Sequence, residues 1–409
     1  MDAEGAAVSS GARTGAGSVP RGGFDVAVVG SGIVGLGAAY AAVRRGLSVV
    51  VIDRGARITG ATIRNFGHLC IGAQTGEARG YADAARELWL RLSRDAGFWL
   101  RESGTLIAAR HADELALIEA AAGAGGGIRL LDAAEIAAAA PIAPGVAVGG
   151  GVIETDLQTN PRIAADRIAA HLAGLGVEFR MRTAVTAVAT GRVETTRGTI
   201  SAGTVIIAVG HDIDQLLLEL AESAEVERCA LDMMRVQAEL ARPLDAPLLT
   251  GWSLVRYGRF AGLGAAAPVR ERLHRERPDL AAIDLNQMYT QLPDGSLLLG
   301  DTHVRDTVAS PFQSEDAQQA ILDEAQSLFG VPAPRVIERW QGVYASAPND
   351  FLRREVEPGV HVIAVTTGIG MTCGLGFAEH AVAAATDQPF PALDSPDTGA
   401  FTPVEQEHS

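Results

Sequence analysis

VAVVGSGIVGLGAAYAAVRRGLSVVVID, residues 26–53, decides the fold. It begins inside a short apolar run, residues 24–30 (FDVAVVG), that reads as a buried strand ending in glycine. Residues 33–45 carry helical spacing and good helix formers, and Gly46 stops them. Residues 47–52 (LSVVVI) form a second buried strand. Together they make a βαβ unit with a right-handed connection. Between the first strand and the helix stands Gly30-Ser31-Gly32-Ile33-Val34-Gly35, a GxGxxG pattern. Gly30 permits the tight turn, Gly32 lets backbone approach a pyrophosphate, and Gly35 lets helix and strand pack closely. The amides opening the helix, with its positive dipole end, suit phosphates. Asp53, followed by Arg54, ends the second strand, where a carboxylate accepts bonds from ribose hydroxyls. The segment therefore reads as a dinucleotide site. A phosphorylated ribose sits badly beside Asp53, which disfavours NADP; NAD and FAD stay open on this motif alone.

Working outward, residues 78–103 read as a helix with Trp89, Leu92, Trp99 and Leu100 as core candidates. Residues 105–109 read as a strand. The Ala-rich residues 111–139 read as two short helices broken by glycines at 123–127. Residues 161–175 form a helix with Pro161 in its first turn. Residues 177–182, 183–188 and 204–208 read as strands, the last leading into Val209 and Gly210. Residues 233–240, 285–290 and 296–299 read as strands of a second sheet. Residues 314–329 form a helix that Ser314 can cap. Residues 360–365 are a final buried strand and 371–385 a final helix.

Dinucleotide-type elements thus stand at the start, middle and end, with strand-rich material between. The predicted class is α/β: a discontinuous Rossmann-like cofactor domain with an inserted α+β substrate domain on a mostly antiparallel sheet. The cofactor domain takes residues 24–75, 150–215 and 355–392. The substrate domain takes 76–149 and 216–354. Residues 1–23 and 393–409 read as tails.

The net charge of −15 and the lack of a basic stripe argue against a nucleic-acid partner. All 34 basic residues are arginine, so any mechanism needing a lysine amine is excluded. Cys70, Cys229 and Cys373 are too widely spaced for a disulfide framework or a CxxC metal site. No metal is expected, and a reducing cytoplasm fits. No apolar run of about 18 residues exists, so no membrane partner is expected.

A second glycine-rich strand-to-helix turn, Thr367-Gly368-Ile369-Gly370-Met371-Thr372, closes the chain. Two such turns suit a ligand long enough to span the domain, and FAD is long. With GSGIVG at Gly30, Gly60-Ala61-Thr62-Ile63-Arg64-Asn65-Phe66-Gly67, Ile206-Ile207-Ala208-Val209-Gly210 and GIGMTCGLGFAE from Gly368, the chain resembles the D-amino-acid oxidase superfamily over nearly everything after residue 23. Glycine and sarcosine oxidases belong to it. The GATIRNFG segment, Trp340-Gln341-Gly342-Val343-Tyr344 and Gly300-Asp301-Thr302-His303 most resemble a bacterial clade associated with phosphonate breakdown. The resemblance implies FAD, with Ala61 and Thr62 at the pyrophosphate and Arg64 and Asn65 near the flavin ring. It implies Val185 at the adenine, beside Ala208 and Gly210. It implies Gly368, Gly370, Met371 and Thr372 at the pyrimidine end of the ring. A helix start there also stabilises an anionic reduced flavin. Some relatives attach the flavin through a cysteine near the segment matching Trp340 to Tyr344, which has none here. Others use a histidine after the early glycine motif, which makes His68 the residue to watch. Non-covalent FAD is expected.

The superfamily's reaction removes hydride from a carbon beside an amine, giving an imine that water hydrolyses. The flavin does the chemistry, so no side chain is obligatorily catalytic. The expected function is oxidative deamination of a small amine bearing an anionic group, an aminophosphonate first. Oxygen or another acceptor reoxidises the flavin. A glycine- or sarcosine-type oxidase and a non-catalytic flavoprotein subunit are the alternatives. An anionic substrate calls for arginine, whose planar fork makes paired hydrogen bonds. Arg64, Arg235, Arg256 and Arg305 are the candidates. Arg235 stands out because it sits in the apolar stretch Met233-Met234-Arg235-Val236. His303 and Tyr344 are further candidates for contact with the substrate.

Overall fold

The apolar runs meet as the parallel core of one sheet. In the computed structural model, which describes residues 23–389, Phe24–Val29 lies between Val49–Ile52 and Gly198–Ile207, parallel to both. Glu178–Arg180 adds beyond Val49–Ile52, and Val360–Val365 pairs with Gly198–Ile207, again in parallel. Residues 26–29, 49–52 and 205–207 are apolar and buried because both faces are covered there. Val26 and Val28 enter one core cluster, Ala27 and Val29 another. Phe351–Glu357 pairs antiparallel with Val360–Val365. Val185–Ala189 and Arg192–Thr195 form a hairpin on the start of Gly198–Ile207, completing eight strands.

Helix Ile33–Val43 is apolar all round, as a fully enclosed helix must be. Its small residues admit helix Gly370–Thr386: a Cβ on Gly37 would lie 3.0 Å from the Cβ of Ala378. Helix Gly76–Ala96 packs on the same partner just as closely. A Cβ on Gly376 would lie 2.1 Å from the Tyr81 carbonyl oxygen. The indole of Trp89, fully buried, donates to the Met371 carbonyl at 3.0 Å and ties down the start of Gly370–Thr386.

A second, nine-stranded sheet is mostly antiparallel. Its longest pairing joins Glu227–Gln237 to Arg335–Ser346. Leu297–Gly300 and Val304–Asp306 also pair with Glu227–Gln237. Thr105–Ala109, Gly149–Ile153 and Ile128–Asp132 continue the other side. Helix Glu315–Phe329 starts at Ser314, whose hydroxyl accepts from the Ala317 amide at 3.2 Å.

Three of the differences from the sequence-based expectation matter most. The helix expected over 78–103 ends at Ala96, because Gly97 takes a left-handed φ of 67° that closes it. Trp89 and Leu92 are buried as expected, but Trp99 and Leu100 lie beyond the helix and are half-buried. The strand Ile128–Asp132 stands between the two Ala-rich helices, its alternation masked by the surrounding alanines. Asp132 then caps Ala133–Ala139 in a capping box with Glu135. The third difference concerns the expected domain edges. Gly149–Ile153 sits in the second sheet and Phe351–Glu357 in the first, and helix Gly76–Ala96 packs into the core of the first sheet rather than with the second. The tails expected at 1–23 (save Gly23) and 393–409, with residues 390–392, lie outside the described residues.

Candidate functional site

A cavity of about 1020 Å³ opens at the carboxyl ends of the parallel strands, where Val29, Ile52, Ala208 and Val365 line it. It runs on to the face of the second sheet, where Leu231, Met233 and Tyr344 line it. That volume is at the upper end of the ~300–1,000 Å³ usual for ligand sites.

The glycine turn forms one wall. Gly30 holds φ at 102°, and a Cβ there would lie 2.5 Å from the Ala208 carbonyl oxygen. Gly35 does not line the cavity. A Cβ on it would lie 2.0 Å from the Gly30 carbonyl oxygen, so it lets the helix sit on the turn. A Cβ on Gly32 would meet only the Thr62 hydroxyl, at 3.3 Å, and otherwise open space. Ser31, Ile33 and Val34 line the same wall. The Thr62 hydroxyl accepts the Ile33 amide at 2.8 Å, which brings the turn Ala61–Ile63 to the helix start. Asp53 Oδ2 accepts from the Ser31 amide at 2.9 Å and its hydroxyl at 2.6 Å. The Asp53 carboxylate thus stands beside the glycine turn at the cavity wall. Arg54 lines the cavity too, and its guanidinium holds Asp212 and Gln215 at 2.6 Å each. Val185, Ala208 and Gly210 complete this end.

Gly368, Gly370 and Met371 line the middle, at the start of helix Gly370–Thr386. Thr372 does not; its hydroxyl turns back to accept the Cys70 amide at 3.0 Å. Arg64 and Asn65 line the cavity. Asn65 spends its side chain on the loop, donating to the Ala61 and Thr62 carbonyls and accepting the Gly67 amide. Arg64 Nη1 donates to the Gln341 carbonyl at 3.1 Å.

Polar groups crowd the far end. Arg64, Arg256, Arg270 and Arg305 line it together with Asp284, Asp301, His303, Tyr257 and Asn286. Asp284 bridges two of the arginines: one oxygen takes Arg256 and the other takes Arg305 at 2.9 Å. Asp301 is 6% exposed, and Asn286 donates to its Oδ1 at 3.0 Å. Burial pushes the Asp301 carboxyl up to about 7, against the opposing pull of Arg256 and the Asn286 hydrogen bond. His303 is held well below the usual imidazole range, first by burial and then by Arg256. Its Nδ1 faces the Asp284 carbonyl at 3.1 Å, a contact only an N–H can satisfy. Its ring meets Tyr344 edge-on at 6.3 Å. Asp301, Asn286 and Tyr257 escaped the sequence-based selection of site residues. The available signal was an acidic residue closing the apolar run Leu297-Leu298-Leu299-Gly300.

Arg235 lies outside the cavity. Alternation along Glu227–Gln237 puts it on the face of Leu231 and Met233, but further along the strand. There Ser296 accepts from its Nε at 2.8 Å, and Asp294 and Glu338 accept from its Nη atoms. Replacing Arg235 with Met is expected to cost about 1 kcal/mol, the scale of a partly exposed ion pair. Urea unfolding checks this, and KM for any substrate stays unchanged. His68 also lies outside the cavity. It is buried with Cys70 and Asp156, whose potential metal-ligating atoms lie within 4.8 Å of one another. Local partners occupy them. Asp156 accepts from the Gly72 amide and the Thr105 hydroxyl, and that hydroxyl is 2.6 Å from His68 Nε2.

Fold and cavity together define a dinucleotide-binding flavoprotein class: a glycine cradle at the strand ends, a second helix start, and a polar chamber beyond. The family model described as FAD-dependent oxidoreductase (DAO) matches residues 25–384. The chain belongs to that family of FAD-dependent oxidoreductases. Glycine oxidase from Geobacillus kaustophilus has a similar structure, with a TM-score of 0.71 at 20% identity over 90% of this chain and 95% of that one. L-proline dehydrogenase from P. horikoshii gives 0.72 at 17%, over 89% and 94%. L-α-glycerophosphate oxidase from Mycoplasma pneumoniae, solved with FAD bound, gives 0.70 at 19%, over 89% and 94%. No curated protein sequence matches the chain. The cradle fits FAD: a side chain at Gly32 would project past Thr62 into open space, and the cavity is lined at both helix starts. No helix among the described residues is long and apolar enough to cross a membrane.

Proposed function

We propose that this enzyme oxidises a small primary or secondary amine bearing an anionic group, an aminophosphonate in the first place and a glycine- or sarcosine-type amino acid in the second. One observation carries the proposal. The chamber beyond the cofactor cradle holds four guanidinium groups, Arg64, Arg256, Arg270 and Arg305, against two carboxylates, Asp284 and Asp301. Burial shifts Asp301 toward its neutral form. The balance attracts an anion, and a doubly charged phosphonate more than a carboxylate.

The glycine turn at Gly30 and Gly32, with Ser31, Ile33, Val34 and Thr62, holds the pyrophosphate. Asp53 takes the ribose, and Val185, Ala208 and Gly210 flank the adenine. Gly368, Gly370 and Met371 meet the ring. When bound, FAD supplies the acceptor for hydride leaving the carbon beside the amine. The protein's share is to fix the anion, orient that carbon and keep the amine neutral. Arg256 is the preferred anchor, because Nη1 is fixed by the Asp284 carboxylate and carbonyl, which sets the plane of its fork. Tyr344 and His303 form the wall between the anchor and Gly368. The flavin is held without a covalent bond: no cysteine stands in Trp340-Gln341-Gly342-Val343-Tyr344, and His68 is packed away from the cavity.

Steady-state turnover with a panel of aminophosphonates, amino acids and uncharged amines tests this, followed by peroxide and by an artificial electron acceptor. Turnover confined to anionic amines is expected. Preference for uncharged amines would contradict it, and no turnover with any amine would favour a non-catalytic subunit.

A further inference from the structure

We infer that Asp301 receives the ammonium group of the substrate and takes its proton. This rests on the amine-oxidation reading proposed above. The argument is one of geometry and desolvation. Asp301 closes the apolar strand Leu297–Gly300 and lines the cavity. Asn286 occupies its Oδ1. Its Oδ2 faces His303 Nε2 at 3.7 Å, beyond hydrogen-bond reach, and so is open to a donor in the chamber. Two aromatic hydroxyls, Tyr257 and Tyr344, line the chamber with it, and burial holds both in their neutral forms. The titratable and charged groups around Asp301 are Arg256 and Tyr257 after helix Gly251–Leu254, and Asp284 before Asn286. Cys229 and Tyr344 come from two strands of the second sheet, and His303 from its own loop. The neutral His303 cannot repel an incoming cation. The other carboxylate at this end, Asp284, has each oxygen paired with an arginine.

A protonated amine has no free pair at nitrogen and cannot release hydride from the adjacent carbon. In the step assigned to Asp301, the N–H bond of the ammonium breaks, an O–H bond forms at Oδ2, and the nitrogen keeps the electron pair. The carboxylate becomes neutral, and so does the amine. An ordinary carboxylate facing an amine of pKa ~10 holds that proton about once in 10⁶. Raised to about 7, Asp301 holds it roughly once in 10³.

The test compares wild type with Asp301→Asn and Asp301→Glu, all loaded with FAD, using aminomethylphosphonate and sarcosine. Wild-type kcat/KM is expected to rise with pH and level off above about 7, as Asp301 loses its proton. Asp301→Asn is expected to lose about 10²–10³-fold at pH 7, within the ~10²–10⁴-fold range for a positioned base. Its residual rate keeps climbing tenfold per pH unit, because only solution then supplies neutral amine. Asp301→Glu restores the plateau in part. A second readout needs no turnover. The folded protein holds this proton to about 7, while the unfolded chain releases it near 3.8. Folded protein therefore binds more protons in that window, and wild-type stability falls as pH rises through it. Asp301→Asn escapes this fall and unfolds at higher urea than wild type at pH 8. A pH-independent loss in Asp301→Asn, with lower stability at pH 8, would overturn the assignment and leave Asp301 structural. Turnover with an unchanged profile overturns it while sparing the amine reading. Failure of every amine to turn over in wild type overturns both.

Discussion

Gly35→Ala loses most of its flavin and melts at a lower temperature. The new methyl would stand 2.0 Å from the Gly30 carbonyl oxygen, a distance no contact tolerates. Helix Ile33–Val43 cannot retreat, because helix Gly370–Thr386 lies against its far side at Gly37 and Ala378. The turn must give, and it carries the amides proposed to face the pyrophosphate. Overpacking of this kind costs about 1–3 kcal/mol, or roughly 10–10²-fold in cofactor affinity if the strain falls wholly on the turn. Gly32→Val makes the control. Its side chain meets only the Thr62 hydroxyl before reaching open cavity, so flavin is lost while the empty protein keeps its melting temperature. Flavin content after gel filtration and thermal melts separate the two. Full flavin retention by both variants would refute the cradle.

Arg256→Met raises KM for an anionic amine about 10²-fold and leaves an uncharged amine within a few fold. A hydrogen-bonded charge pair contributes about 1.5–3 kcal/mol, and tenfold corresponds to about 1.4 kcal/mol. A second signature follows from the same residue. The Arg256 guanidinium pulls the Asp301 carboxyl down, so its removal moves the acid limb of the pH profile to higher pH. The comparison of substrates therefore belongs on the plateau. Equal losses for charged and uncharged amines would remove Arg256 as the anchor and leave Arg64 as the next choice.

The cofactor half was legible in the sequence because its signals are local. GSGIVG, two apolar strands and Asp53 lie within one βαβ unit, and both glycine-rich turns fall at the cavity. The second sheet was legible as strands but not as a chamber. Arg235 shows why. Its apolar neighbours Met233, Met234 and Val236 are buried, so the arginine looked like a pocket charge. Its partners Asp294, Ser296 and Glu338 lie 59 or more residues away and are invisible to periodicity. The role of Asp301 is hidden from the sequence for the same reason. Its significance comes from Asn286, Arg256 and the closing of the chamber around it, which only tertiary structure reveals. Thr372 sits one position past the lining residues of its turn, where the helix has already rotated its side chain toward Cys70. The helix end at Gly97 was readable in principle, since glycine after a charged last turn is a stop signal.

The central claim is that one cavity seats FAD and, beyond it, a small anionic amine. Anaerobic mixing of the FAD-loaded protein with aminomethylphosphonate, sarcosine and methylamine tests it most directly, by following loss of the oxidised flavin's visible absorbance. Rapid bleaching by an anionic amine, with methylamine slower by on the order of 10²-fold, is the predicted result. Bleaching by methylamine as fast as by the anionic amines, or by none of the three, would contradict it.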